Sequence, residues 1–318
     1  MSLKQPYSLP PNSVWFITGC SSGIGRALAT LIATEHPTHR LVATARDPSS
    51  LSYLSSLSSS PDNILILPLD VTSQTSISSA ISAALNKFSR IDVLVNNAGY
   101  MLSGDTEACP LYGETSPARR EMETNFWGTI SLTQSVLPIM RDTSHGGVIL
   151  NVTSMGGRIT APGSAFYHAS KWAVEGFIES LAKELRPEWG IRLSLIEPGG
   201  VSTNFVDKGT VKISPGHPAY QAEDSPARML EGYTQDENMR KLWADPGKIA
   251  QAMYDVVAID GVSKPDGIPL RVPLGPDSWG FLMKENERDR KSLEEAKDRA
   301  LGVGKEGQLE AVAALGFL

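Results

Sequence analysis

Tyr167 and Lys171 stand four residues apart, just after the turn pair Pro162-Gly163 and at the head of a long helical pattern. Residues four apart on a helix share one face, about a turn apart, so an ammonium comes within reach of a phenol. A free tyrosine gives up its proton only near pH 10. A neighbouring cation favours the phenolate and brings that value down, which suits proton exchange with an alcohol or carbonyl oxygen. The spacing alone decides nothing, because exposed Tyr and Lys meet this way on many surface helices. The surrounding elements must say whether the pair faces a site.

The first of those elements is the apolar run from Val14 to Thr18, which reads as a strand buried on both faces. It leads into Gly19-Cys20-Ser21-Ser22-Gly23-Ile24-Gly25 and then into helical periodicity through Ile24, Leu28, Leu31 and Ile32. A strand, a glycine turn and a helix N-terminus form a phosphate cradle: glycines let main-chain N–H groups approach an anion, and the helix dipole favours negative charge there. Gly19 to Gly23 also satisfies G-x-S-x-G, the nucleophile elbow of α/β-hydrolases. Those elbows normally follow several strands, and none of His36, His39, His145, His168 and His217 has the context of a triad partner.

Strand and helix then alternate. A second strand, Arg40 to Ala45, ends in Arg46-Asp47, where a dinucleotide fold reads the adenosine ribose. An acid there suits NAD and a base suits the 2′-phosphate of NADP; Arg46 comes first, so NADP(H) is expected, with NAD(H) as the alternative. The serine-rich stretch Ser49 to Ser60, with leucines at threes, predicts one short helix. A third strand, Asn63 to Leu69, ends in Asp70-Val71-Thr72. Asp70 there could receive an adenine amino group, or Asp70 or Thr72 could cap the helix predicted over 73–88. A fourth strand, Ile91 to Val95, ends in Asn96-Asn97-Ala98-Gly99, small residues against which a cofactor could lie and amides that could tie strand ends together. A helix is predicted over 116–140; Asn125 inside it is a poor helix former and calls for a bound water, a kink or a solvent-facing side chain. Strands Val148 to Val152 and Ile191 to Glu197 end in Thr153-Ser154 and Pro198-Gly199-Gly200-Val201-Ser202-Thr203. Most candidates thus fall at strand C-terminal ends, where open parallel sheets bind ligands.

Composition narrows the class. The 318 residues, 41% hydrophobic and 20% charged, suit an ordinary globular protein, and one α/β domain over 1–318 with insertions accommodates them. A net charge of −6 gives no reason to expect nucleic acid. Two cysteines, no signal-like apolar start and no apolar run of about 20 residues point to a cytoplasmic chain without a membrane span.

Thr18-Gly19-x-x-x-Gly23-Ile24-Gly25, Asn96-Asn97-Ala98-Gly99, Asn125, Ser154, Tyr167-x-x-x-Lys171 and Pro198-Gly199 resemble, in order and spacing, the motifs of the short-chain dehydrogenase/reductase family. The resemblance is dense over 13–203 and looser over 245–272. It implies a doubly wound Rossmann fold, a mostly parallel seven-stranded sheet with helices on both faces, and a carbonyl/alcohol oxidoreductase. Tyr167 would be the acid or base, Lys171 would lower its pKa and bind the nicotinamide ribose, and Ser154 would hold the substrate oxygen. Asn125 would support a water in the proton path. Gly19, Gly23, Ile24 and Gly25 would cradle the cofactor phosphates, Arg46 would stand at the ribose, where Ser21 or Ser22 could add a hydrogen bond to the 2′-phosphate, and Asp70 and Val71 would stand at the adenine. Asn97, Ala98, Gly99, Pro198, Gly199, Val201 and Thr203 would line the rest of the cofactor, beside Tyr167 and Lys171.

Between 204 and 244 stands an insertion where this family carries its substrate lid. Phe205, Val206, Tyr220, Leu230, Tyr233 and Trp243 within it suit a bulky apolar small molecule, as in the retinol and hydroxysteroid dehydrogenases, or equally a lid that packs on itself. A strand over 268–272, a charged helix over 277–301 and an apolar end over 309–318 follow, the last fit to cover the site or a partner subunit of a homo-oligomer. The alternative to an enzyme is a silent, cofactor-sensing member, which would normally lack the tyrosine or the lysine.

Overall fold

A computed structural model describes residues 7–57, 60–113, 115–143, 146–205, 210–213, 216–260, 267–305 and 307–316. Its main sheet has seven strands, all parallel: β1 (Val14–Ile17), β2 (Arg40–Ala45), β3 (Ile64–Pro68), β4 (Val93–Asn96), β6 (Gly147–Val152), β7 (Ile191–Pro198) and β9 (Arg271–Leu274). The order is β3-β2-β1-β4-β6-β7-β9, and a two-stranded ladder joins β5 (Met101–Ser103) to β8 (Thr210–Lys212). The chain reverses direction across the sheet between β1 and β4, which opens a crevice above the strand ends there.

Alternation along each strand divides the core between the two faces. Trp15 and Ile17 of β1, with Leu41 and Ala43 of β2, pack under α1 (Gly23–Glu35) and the Pro246–Asp255 helix. Val14 and Phe16, with Val42 and Leu94, meet the other layer, which contains α3 (Gln74–Phe88), α5 (Gly128–Arg141) and α6 (Ala165–Glu184). Strands buried on both faces need continuous apolar runs, and that is why the sequence shows them so clearly.

Several local expectations change. The serine-rich stretch is two pieces, a 3₁₀ turn over Pro48–Leu51 and α2 (Tyr53–Leu57), because Asp47 caps the first through the Ser49 N–H. Ser73, not Asp70 or Thr72, caps α3 by accepting from the Ser76 N–H. The helix expected over 116–140 is α4 (Pro117–Met122), a π turn over Glu123–Trp127, then α5. The last strand begins at Arg271, three residues later than expected. Val206 and the last two residues of the apolar C-terminal stretch lie outside the described residues.

The rest of the insertion is short elements: β8, a turn over Pro218–Tyr220, and helices over Pro226–Gln235 and Glu237–Arg240. Beyond β9 a long helix spans Pro276–Gly302, and its side chains are largely exposed after its first two turns. No helix among the described residues is long and apolar enough to cross a membrane.

Candidate active site

The crevice is a cleft of about 2010 Å³ running from the glycine turn to the insertion. Its floor at one end is the β1–α1 connection. Gly19 and Gly23 there have φ of +72° and +57°, left-handed values that a side chain would strain. A Cβ on Gly25 would fall 2.4 Å from the Asn97 amide, so the third glycine serves close approach and lies behind the cleft wall. Asn97 Nδ2 donates to the Thr18 carbonyl at 2.8 Å, while Asn96 Nδ2 donates to Asn151 Oδ1 at 2.9 Å. These amides do tie neighbouring strand ends. Ser22, at the N-cap of α1, makes no side-chain cap, and no acid stands in the helix's first turn. The N-terminal end of that dipole therefore meets the cleft with no anion supplied by the cap or first turn of α1.

Ser21, Ser22, Ile24, Arg46, Asp70, Val71, Ala98, Gly99, Pro198, Gly199, Val201 and Thr203 all line the same cleft. Asp47 does not. Its carboxylate accepts from the main-chain N and hydroxyl of Ser49 at 2.9 and 2.8 Å, which also holds its pKa below the usual carboxylate value. Asp70 Oδ1 likewise accepts from the Thr72 N–H and hydroxyl at 2.9 and 2.7 Å. Backbone and side chains at this end fit a dinucleotide: a glycine floor, a helix N-terminus, and Arg26 and Arg46 on the lining, the latter at the end of β2.

At the middle of the cleft stand Tyr167, Lys171 and Ser154. α6 presents Tyr167 and Lys171 on one face, as the spacing requires, with Lys171 Nζ 5.7 Å from the Tyr167 ring centroid. Burial pushes the Tyr167 phenol up to about 12; a hydrogen bond with the Ser154 side chain pulls it down, and the Glu121 carboxylate raises it. The lowering expected from Lys171 does not set the phenol here: desolvation dominates, and the Lys171 ammonium donates to the Val152 carbonyl at 3.0 Å. Burial also brings Lys171 down to about 8, against the opposing pull of Glu121 and Glu175. Ser154 Oγ accepts from the Gly156 N–H at 3.0 Å, which fixes it at the end of β6.

Asn125 stands behind this group and sits in the π turn, 1% exposed. Its Oδ1 accepts from Tyr100 N at 3.0 Å, and its Nδ2 donates to the Tyr100 carbonyl at 2.8 Å and to Ser170 Oγ at 3.0 Å. The side chain is therefore spent joining the β4 end to α6, and a π turn, frequent at functional sites, aims it there. That reason differs from a solvent-facing side chain or a simple kink.

Two residues escaped the sequence. His168, next to Tyr167, has Nδ1 2.9 Å from the Gly156 carbonyl, while its Nε2 accepts from the Ala161 N–H at 2.9 Å. It anchors the 156–161 segment that walls the cleft. Glu121, one turn before Asn125, is fully buried; Oε1 accepts from the Leu102 N–H at 2.6 Å and, among the described residues, no hydrogen bond reaches Oε2. Burial raises its pKa to about 8, with the Leu102 bond and Lys171 opposing. In sequence it is one charge among Arg119, Arg120 and Glu123, and only its hidden face sets it apart.

The sign of its effect on stability follows. A carboxyl whose folded pKa exceeds its unfolded value holds its proton more tightly when folded, so stability falls as pH rises from about 4.5 to about 8. Glu121→Gln keeps the acceptor for Leu102 and removes the charge. It should be indistinguishable from wild type at pH 5 and more stable at pH 9 by about 1 kcal/mol or more, the scale of a relieved unpaired polar group. Each kcal/mol corresponds to roughly 1.5 °C in melting temperature for a chain of this length. Melting curves at pH 5, 7 and 9 check it; a constant offset would refute the buried charge.

Comparison with known proteins agrees with this architecture. The short chain dehydrogenase family model matches residues 13–212. Oxidoreductase calM of Penicillium decumbens is 44% identical over 297 residues, covering 91% of this chain and 92% of the relative. A 3-ketodihydrosphingosine reductase of Bacteroides thetaiotaomicron is 32% identical, covering 82% and 87%. A solved short-chain dehydrogenase of Streptomyces avermitilis superposes with a TM-score of 0.78 at 32% identity, covering 92% of this chain and 98% of that one. The chain belongs to the short-chain dehydrogenase/reductase family, oxidoreductases of Rossmann-like fold.

Proposed function

We propose that the protein is an NADP(H)-dependent oxidoreductase that interconverts a carbonyl and a secondary or primary alcohol on a bulky apolar small molecule. The observation that carries the reading is the Tyr167 phenol, set with Ser154 and Lys171 on the lining of one cleft that has a glycine floor at one end and an apolar wall at the other. The cofactor supplies the hydride when bound. Tyr167 gives its proton to the carbonyl oxygen in reduction, or receives it in oxidation, and the Ser154 hydroxyl holds the same oxygen. Lys171 supplies positive charge beside them and Asn125 keeps α6 in register with the end of β4.

Arg46 supports the choice of NADP(H), since it lines the cleft while Asp47 is occupied by Ser49. The 204–244 segment acts as the substrate lid: Phe205, Val211, Leu230, Tyr233 and Trp243 turn toward the cleft. Met229 and Leu242 of the same segment are exposed, so only part of its apolar content serves the site. The similarity to a 3-ketodihydrosphingosine reductase points the same way.

The test is NADPH or NADH oxidation with methyl ketones of rising chain length and with steroid ketones. Turnover should favour NADPH and rise with apolar bulk. Replacing residues 204–244 by a short Gly/Ser linker should remove that dependence on bulk while cofactor binding stays measurable. Failure of every carbonyl and alcohol, with cofactor still bound, would refute the enzymatic reading.

A further inference from the structure

The loop after β5 carries a carboxylate that the chemistry above does not use. Asp105 is 3% exposed, and both its oxygens are engaged by the 204–244 segment. Oδ1 accepts from Arg228 Nη2 at 2.7 Å. Oδ2 accepts from the main-chain N–H of His217 at 2.9 Å and from Gln221 Nε2 at 3.2 Å. One carboxylate thus holds three points of the segment, 112 to 123 residues away in sequence. Nearby contacts dock the same stretch: Tyr220 Oη donates to Glu107 at 2.9 Å, and Ile213 N donates to the Ser103 carbonyl at 2.8 Å.

The position of Arg228 gives the carboxylate its leverage. Arg228 sits on the Pro226–Gln235 helix between Ala227 and Leu230, which line the cleft, as do Glu231 and Thr234 farther along. A helix of ten residues moves as a rod, so holding one residue sets where the whole wall stands. Gly163 shows how closely it stands: a Cβ there would lie 3.3 Å from that of Ala227, next to the turn that leads into α6. The Asp105 side chain is fully shielded and that of Arg228 nearly three-quarters so. Without Asp105, Arg228 keeps, among the described residues, only Glu231 of its own helix, at 3.1 Å, so the tie from that helix to the loop after β5 is lost and the wall is freed.

We infer that Asp105 is a positioning residue that sets substrate range, by holding the Arg228 helix, with Ala227, Leu230 and Tyr233 on the cleft, at the spacing a bulky carbonyl compound needs. The inference rests on the reading of the 204–244 segment as substrate lid. It requires no contact between Asp105 and the substrate or the cofactor.

The experiment uses the full chain, with 2-undecanone and acetone as ketones that share a methyl carbonyl and differ in apolar bulk. Asp105→Ala and Arg228→Gln should each lower kcat/KM for 2-undecanone about thirtyfold, chiefly through KM, and change that for acetone less than threefold. The NADPH dissociation constant should move less than threefold. Because the two substitutions share the Asp105–Arg228 contact, the double variant should lose little more than the worse single one. Asp105→Asn, which keeps an acceptor for the His217 N–H, should lose less than Asp105→Ala. Equal fractional losses for the two ketones, or losses that multiply in the double variant, would overturn the inference, as would no change. Should Asp105→Ala fail to melt cooperatively, Arg228→Gln decides by the same ratio. A linker in place of 204–244 that leaves the ratio of the two ketones unchanged sinks the lid reading itself; a linker effect without an Asp105 or Arg228 effect sinks only this inference.

Discussion

Tyr167→Phe should lose at least a hundredfold in kcat while binding NADPH as the wild type does. The substitution removes one oxygen from a ring that is otherwise held in place, with Phe205 6.2 Å away between centroids and α6 beneath. General acid–base catalysis is worth roughly 10²–10⁴-fold, and only the proton-transferring atom is lost. Single-turnover measurement of NADPH oxidation, with cofactor binding followed separately, reads both quantities; more than about a tenth of wild-type activity would remove Tyr167 from its role. The direction of reaction adds a second signature. With burial holding the phenol near 12, Tyr167 is protonated across the neutral range, ready to act as an acid. Ketone reduction should therefore show no loss from this group between pH 6 and 9, whereas alcohol oxidation should climb with pH. Lys171→Ala should damage turnover and cofactor binding together, since its ammonium lies within the cleft beside the phenol.

What the sequence made legible and what it hid divide along physical lines. Buried parallel strands must be apolar throughout, so β1, β2 and β7 stood out with their ends nearly in place. Residues at those ends are close in sequence to a strong signal, which is why the glycine turn, Ser154 and the Tyr167/Lys171 pair could be placed on one edge. Asn125 was noticed because it is wrong for a helix, but its π turn could not be foreseen, as π geometry has no composition of its own. Glu121 and Asp105 were missed for one reason: each reads as a surface charge, and only tertiary contacts bury it. Asp105 meets its partners across more than a hundred residues, and Glu121 meets Leu102 across 19. The role of Asp47 was open until its side chain was seen to turn back on Ser49.

That turn decides the expectation for the cofactor. A 2′-phosphate carries a charge of roughly −1.5 to −2 at neutral pH, as phosphomonoesters do. Arg46 lines the cleft at the end of β2 and can meet such a group with a planar two-pronged donor. Each charge-assisted hydrogen bond of this type is worth about 1.5–3 kcal/mol, or roughly ten- to a hundredfold in affinity. Asp47 opposes this only if its carboxylate faces the phosphate, and both its oxygens already accept from Ser49. Ser21 and Ser22 line the same end with hydroxyls that can add neutral bonds. Arg46→Asp reverses the charge at the one basic position the strand end provides. It should raise the Michaelis constant for NADPH at least tenfold and leave that for NADH within about threefold, so the ratio of kcat/KM for the two cofactors turns toward NADH. Asp47→Ala should leave the ratio unchanged, because that side chain is committed to the 3₁₀ turn after β2. A wild-type preference for NADH, lost in Asp47→Ala, would mean that Asp47 leaves Ser49 to take the ribose hydroxyls and that Arg46 does not choose the cofactor.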